Sequence, residues 1–185
     1  MMYNIYSGGA EGADVTWADL AVDHGIDPDN IKHYYVSGFK TPHGNTPIPA
    51  VEAMVVADSL VKEVNRKYLK RKFPSSNKYI NNLIRRNYYQ VSKAEKTIAV
   101  STLDYYGVVD GGTAWACYMG IEMGVDTVVY DQKQRLTYRW DYGECKFKLY
   151  NDVPVLVANT ALIGSRKLNT NGRLFMEKVI KTTLK

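Results

Sequence analysis

The chain is poor in cysteine, in histidine and in long apolar runs. Cys117 and Cys145 are the only cysteines in 185 residues, too few and too isolated for a disulfide framework or a zinc site. His24, His33 and His43 show no metal-ligand spacing, so neither a metal nor another cofactor is expected. No apolar stretch reaches the roughly 20 residues that span a bilayer, and the sequence enters its first strand without a basic leader segment. These absences lead to the expectation of a cytoplasmic protein with no membrane partner. Low-complexity tracts and internal repeats are missing as well, and the length suits one domain over residues 1–185.

The net charge of +5 is not spread along the chain. Lys62, Arg66, Lys67, Lys70, Arg71 and Lys72, opposed by Glu63, hold the whole excess in one short stretch. Such a run is either a solvated helix end that complements the helix dipole or a patch that meets phosphates. With the remaining charge balanced, nucleic acid is not an expected partner.

Two glycine-rich turns stand out, each placed to open a helix after an apolar strand. They are Ser7-Gly8-Gly9-Ala10-Glu11-Gly12-Ala13-Asp14 and Gly111-Gly112-Thr113. Glycine lets the backbone approach a ligand closely, and the unpaired N–H groups of a helix start attract anions. Two such turns on separate strand–helix units predict one pocket for a phosphorylated, nucleotide-like ligand.

Strands are predicted at Tyr3–Tyr6, Ile31–Val36, Thr97–Ser101, Thr127–Tyr130 and Val153–Ala158. A hairpin or antiparallel edge is expected within Arg135–Tyr150. Helices are predicted over Ala13–His24, Pro49–Leu69, Lys78–Ser92, Thr113–Met123 and Thr170–Thr183, with an irregular loop over Ser37–Pro49. This alternation predicts an α/β fold: a Rossmann-like, doubly wound, mostly parallel sheet with a small antiparallel edge or hairpin. Ligands of such sheets sit beyond the carboxyl ends of the strands, where both glycine turns fall.

Candidate ligand-binding residues follow from that placement. Ser7 offers a hydroxyl beside Gly8, Gly9 and Gly12, and Thr113 can cap its helix while meeting a phosphate. Asp14 either balances the helix start or binds a ribose hydroxyl or a cation. In the Lys78–Ser92 helix the apolar stripe of Ile80, Leu83, Ile84 and Val91 is expected inside. Asn87 falls on that stripe, as a ligand contact or a structural hydrogen-bond partner, and Arg86 lies beside it at the pocket rim, whereas Arg85 points further out. Tyr105 and Tyr106 precede the second turn and can stack on a base; His43 can belong to a lid. Fifteen tyrosines against four phenylalanines, with the apolar-faced helix Pro49–Leu69, predict a homodimer or higher homo-oligomer.

Ser-Gly-Gly-Ala-x-Gly-Ala-Asp followed by Gly-Gly-Thr resembles the SLOG superfamily, the Rossmann-like group of SMF/DNA-processing proteins and lonely-guy enzymes. The sequence looks like the small phage- and bacterium-encoded branch with an Arg-Asn helix, here Arg86-Asn87, and a Trp after Gly-Gly-Thr-Ala, here Trp115. SLOG domains commonly begin with a strand ending in Gly-Ser-Arg. Here Ile163-Gly164-Ser165-Arg166 stands near the C-terminus, which reads as a circular permutation and adds Arg166 to the expected pocket. The resemblance implies a cytoplasmic binder, in the host cytoplasm if phage-encoded, of a nucleotide-derived signal such as a cyclic nucleotide or an ADP-ribose derivative. It also implies a sponge role against antiviral defence. Two alternatives stay open. One is a nucleotide N-glycosidase or phosphoribohydrolase using Asp14, Glu11 or Asp110; the other is a DNA-binding module of the DNA-processing type. Lonely-guy enzymes carry a catalytic Glu three residues after Gly-Thr, where this chain has Ala116, and that departure favours binding over hydrolysis.

Overall fold

Short β-branched runs and helices with one apolar face give a three-layer arrangement in the computed structural model, which describes residues 2–36 and 56–185. The expected loop Ser37–Pro49 with His43, and residues 49–55 of the expected long helix, lie outside the described residues. The elements are β1 (Asn4–Ser7), α1 (Ala13–Asp23), β2 (Ile31–His33), α2 (Asp58–Val64), α3 (Lys78–Val91), β3 (Lys96–Ser101), α4 (Thr113–Glu122), β4 (Asp126–Asp131), β5 (Leu136–Asp141), β6 (Lys146–Leu149), β7 (Asn159–Gly164) and α5 (Thr170–Thr183). One seven-stranded sheet runs in the order β2-β1-β7-β3-β4-β5-β6. Its first five strands are mutually parallel, and β5 pairs antiparallel with both β4 and β6. The Rossmann-like fold and its antiparallel edge therefore match the sequence reading.

Alternation along the strands feeds two cores, one on each side of the sheet. Ile5, Ile98, Val100 and Leu162 face α1 and α5, with Trp17 and Met176 fully buried there. Ala99, Val129, Ala161 and Ile163 face the other way, onto Val61, Val64, Trp115 and Met119. The expected apolar face of the long helix is thus used inside this chain over its described part, where Val61 and Val64 are buried. Beyond α2 a π-helical turn over Asn65–Leu69 ends in Lys70 with left-handed backbone, close to the predicted end.

Two strand expectations need correction. The second strand is shorter than Ile31–Val36 and ends at His33. The last strand is Asn159–Gly164, not Val153–Ala158. Pro154 has no N–H to give a ladder, and two of the N–H groups that follow are taken by side chains: Leu156 donates to Thr183 Oγ1 and Val157 to Thr160 Oγ1. That segment is extended without pairing, and β7 takes the centre of the sheet between β1 and β3.

The chain leaves β1 toward β2 on one side and β3 toward β4 on the other, so the winding reverses around β7. In open α/β sheets such a reversal leaves a crevice at the carboxyl ends of the strands.

Candidate functional site

That crevice is a cavity of about 600 Å³, within the size range of small-ligand sites. Four segments meet in it: the end of the first glycine turn, one face of α3, the second glycine turn with the start of α4, and the turn after β7. Arg71, Arg86, Arg166 and Lys167 bring four cationic side chains to its lining against the carboxylates of Asp14 and Asp110. The balance favours an anionic ligand.

The second turn is open to the cavity. A Cβ added at Gly111 or Gly112 would meet nothing within 4 Å, and Gly111 has φ +63°, a backbone that L side chains rarely adopt. Asp110 Oδ1 accepts from the Gly111 N–H at 2.7 Å. Arg71 donates to the Gly111 carbonyl at 2.6 Å. Gly112 caps α4 with no side-chain bond. Thr113, expected to cap the helix, stands one residue inside it and lines the cavity.

The first turn is built differently. A Cβ at Gly8 would collide with Arg86 Nη1 and lie 2.6 Å from Gln90 Nε2 and 2.7 Å from Asp14 Oδ2. The glycine there makes room for the protein's own side chains. At Gly12, φ +89°, a Cβ would lie 2.5 Å from the Arg166 carbonyl, so this glycine lets the first turn pack on the turn after β7. Ser7, Gly8, Gly9 and Gly12 are not part of the cavity lining, whereas Asp14, Arg86, Asn87, Gly111, Gly112, Thr113 and Arg166 are.

Arg86 is not at the rim. It is 7% exposed, and its Nη1 donates to the Gly8 carbonyl at 2.5 Å and the Tyr34 carbonyl at 2.7 Å. Burial presses its pKa below the ordinary arginine value, and the nearby Asp14 charge opposes that shift. The expected inside stripe of α3 is also shifted: Ile80 is half exposed, while Asn81, Arg86, Asn87 and Gln90 are buried. The helix turns a polar face inward because the first glycine turn and the cavity, not the sheet alone, lie beneath it. Arg85 pairs with Asp58 at 2.6 Å outside the lining, in keeping with its expected outward direction.

Asp14 accepts from the N–H groups of Ala10 at 3.3 Å and Gly164 at 3.2 Å. Burial nevertheless pushes its carboxyl up to about 6, against the lowering influence of Arg86 and these backbone donors. The folded pKa lies above the unfolded value. The resulting stability is therefore full below about pH 4 and is lost as pH rises through 6, about 3 kcal/mol in all. Asp14→Asn should flatten urea-melt stability over pH 4–6. An unchanged pH slope in the variant would refute this assignment.

Other expectations resolve plainly. Glu11 is exposed and outside the lining. Ala116 lines the cavity at the position three residues after Gly112-Thr113. Tyr105 and Tyr106 are exposed on the loop before Gly111 and pack edge-on at 5.4 Å. Within the basic run, Arg66 and Lys67 pair with Glu63, and Arg71 holds the Gly111 turn. Gln90 and Lys167 escaped the sequence reading, and Arg71 entered it only as one member of the basic run. Gln90 shares the helical stripe of Arg86, and Lys167 adjoins Arg166, so the available signals were neighbourhood only.

Among the described residues, no group of three or more His, Cys, Asp or Glu could hold a metal ion, and no helix is long and apolar enough to cross a membrane. The Cys117 thiol is buried and pushed up to about 12, far from the thiolate form that reacts or ligates.

No protein-family model matches the chain, and no curated protein matches it. Among solved structures, it is similar to the crystal structure of a protein from Syntrophus aciditrophicus SB described as "Putative molybdenum carrier protein". The two share 14% identity over 100% of this chain and 96% of that one, with a TM-score of 0.52. At that identity the likeness establishes the shared Rossmann-like α/β fold.

Proposed function

We propose that the cavity holds a nucleotide or nucleotide-derived signalling molecule, such as a cyclic nucleotide or ADP-ribose derivative, and that the protein sequesters it without cleaving it. The observation that carries this reading is the unobstructed Gly111-Gly112-Thr113 turn at the start of α4, facing a cavity rimmed by Arg71, Arg166 and Lys167. A helix start with cations around it is suited to phosphate oxygens. Membership of the SLOG superfamily, in circularly permuted form, belongs to the same proposal. It is supported by the two glycine motifs and by Arg166 lying at the same end of the sheet as Asp14 and Gly112. A homodimer in the cytoplasm completes the reading, supported by the tyrosine content and the exposed Tyr105–Tyr106 pair.

One observation favours a hydrolase as the second reading: Asp14 lines the cavity with a carboxyl held near neutrality, as a general acid or base requires. The two readings separate by incubating the protein with cyclic nucleotides, ADP-ribose, mononucleotides and, given the name of the Syntrophus protein, molybdate. At least one nucleotide should raise the melting temperature by mass action and be recovered intact after denaturation. A recovered free base or shortened phosphate chain would establish the hydrolase. A rise with molybdate alone would replace nucleotide binding with oxyanion carriage.

A further inference from the structure

The polar end of the α3 wall holds two carboxamides that the protein does not use for itself. Gln90 is 2% exposed, and its Nε2 finds no hydrogen-bond partner among the described residues. Asn87, three residues earlier on the same face and 7% exposed, lines the cavity with no side-chain hydrogen bond given to it by any described residue. Leaving buried donors and acceptors unmade costs stability, and since the great majority of buried polar groups have a partner, these two call for one.

The chemistry of that partner can be narrowed. Each carboxamide presents a donor beside an acceptor, which matches the paired donor and acceptor atoms along the edge of a nucleobase. Toward its N-terminal end the same helix face changes character. Ile80, Leu83 and Ile84 line the cavity there, and Trp115 joins them from α4. From Ile80 to Gln90 the wall runs about 15 Å at the rise of an α-helix, enough to pass from an apolar surface for a flat ring to the amides that would read its edge.

We propose that Asn87 and Gln90 together read the edge of a nucleobase whose ring lies against the Ile80, Leu83, Ile84 and Trp115 surface. This deepens the nucleotide reading above and rests on it. It assigns base recognition to α3 and leaves phosphate recognition to the Gly111–Thr113 turn.

The test compares AMP, GMP, CMP and UMP with ribose 5-phosphate by titration calorimetry, on the parent protein and on Gln90→Met and Asn87→Leu. At least one mononucleotide should bind more tightly than ribose 5-phosphate. Each variant should lose roughly 5- to 150-fold of that nucleotide's affinity while binding ribose 5-phosphate as the parent does. Because the Gln90 amide is unpaired in the free protein, Gln90→Met should melt no lower than the parent; a structural amide would show a clear drop. Equal binding of mononucleotides and ribose 5-phosphate overturns the base-reading role and leaves the phosphate site standing. Retention of the base preference in both variants also overturns it. No binding of any of the five compounds overturns the nucleotide reading itself.

Discussion

Replacing Arg86 with methionine is expected to remove about 3–5 kcal/mol of folding stability at pH 7, the range found when one member of a buried charge pair is deleted. Methionine fills much of the volume but supplies no donor, so the Gly8 and Tyr34 carbonyls lose the bonds Arg86 now makes to them. The cation that offsets the buried Asp14 carboxylate disappears as well. The loss should be smaller at pH 5 than at pH 7, because Asp14, already near pH 6 in the parent, then carries a proton and needs no counter-charge. Adding Asp14→Asn to Arg86→Met should recover part of the loss at pH 7, with a coupling free energy that a double-mutant cycle isolates. Urea denaturation of the four proteins at both pH values measures all of this. A loss below about 1 kcal/mol, or one independent of pH, would show that Arg86 is not the internal brace its position indicates. For this reason Arg86 cannot serve as a clean probe of ligand binding.

The contrast between Gly8 and Gly112 shows what could and could not be read from residues alone. Both glycines were legible as turn formers at strand–helix junctions, and the strands and helices around them follow from simple periodicity. What fills the space above each glycine depends on partners far away in sequence. Arg86 reaches Gly8 across 78 positions, so the first turn, which reads like a phosphate loop, is covered by the protein's own side chains. The inward polar face of α3 was hidden for a similar reason. Its apolar stripe is real, but Ile80 at one end borders a cavity, and no local pattern distinguishes a cavity wall from a core. The misplaced last strand has another cause. Val153–Val157 is richer in β-branched residues than Asn159–Ala161, yet pairing is decided by which backbone finds a ladder on both sides. Asn159–Gly164 has β1 and β3 as neighbours, and that tertiary advantage outweighs intrinsic preference.

Arg166→Ala is expected to weaken binding of the cavity's phosphorylated ligand by roughly 10- to 150-fold, the equivalent of a charge-assisted hydrogen bond worth about 1.5–3 kcal/mol. Unlike Arg86, Arg166 is exposed at the turn after β7, and its side chain lines the same cavity as Gly112 and Asp14. Truncating it opens no core cavity. It also leaves intact the backbone carbonyl against which Gly12 packs. The melting temperature of the free protein should therefore change little, while the ligand-induced rise shrinks. Salt gives an independent check. If Arg166 meets a phosphate near the surface, part of its contribution is screened, and the parent should lose more affinity than the variant between low and physiological ionic strength. Gly112→Ala tests the facing wall, since the added methyl group would meet nothing in the free protein yet would stand where a phosphate approaches the start of α4. The two variants touch opposite sides of one proposed phosphate position, so both should lower affinity without unfolding the chain. Undiminished binding in both would move the anion away from the α4 start and remove the main support for a nucleotide ligand.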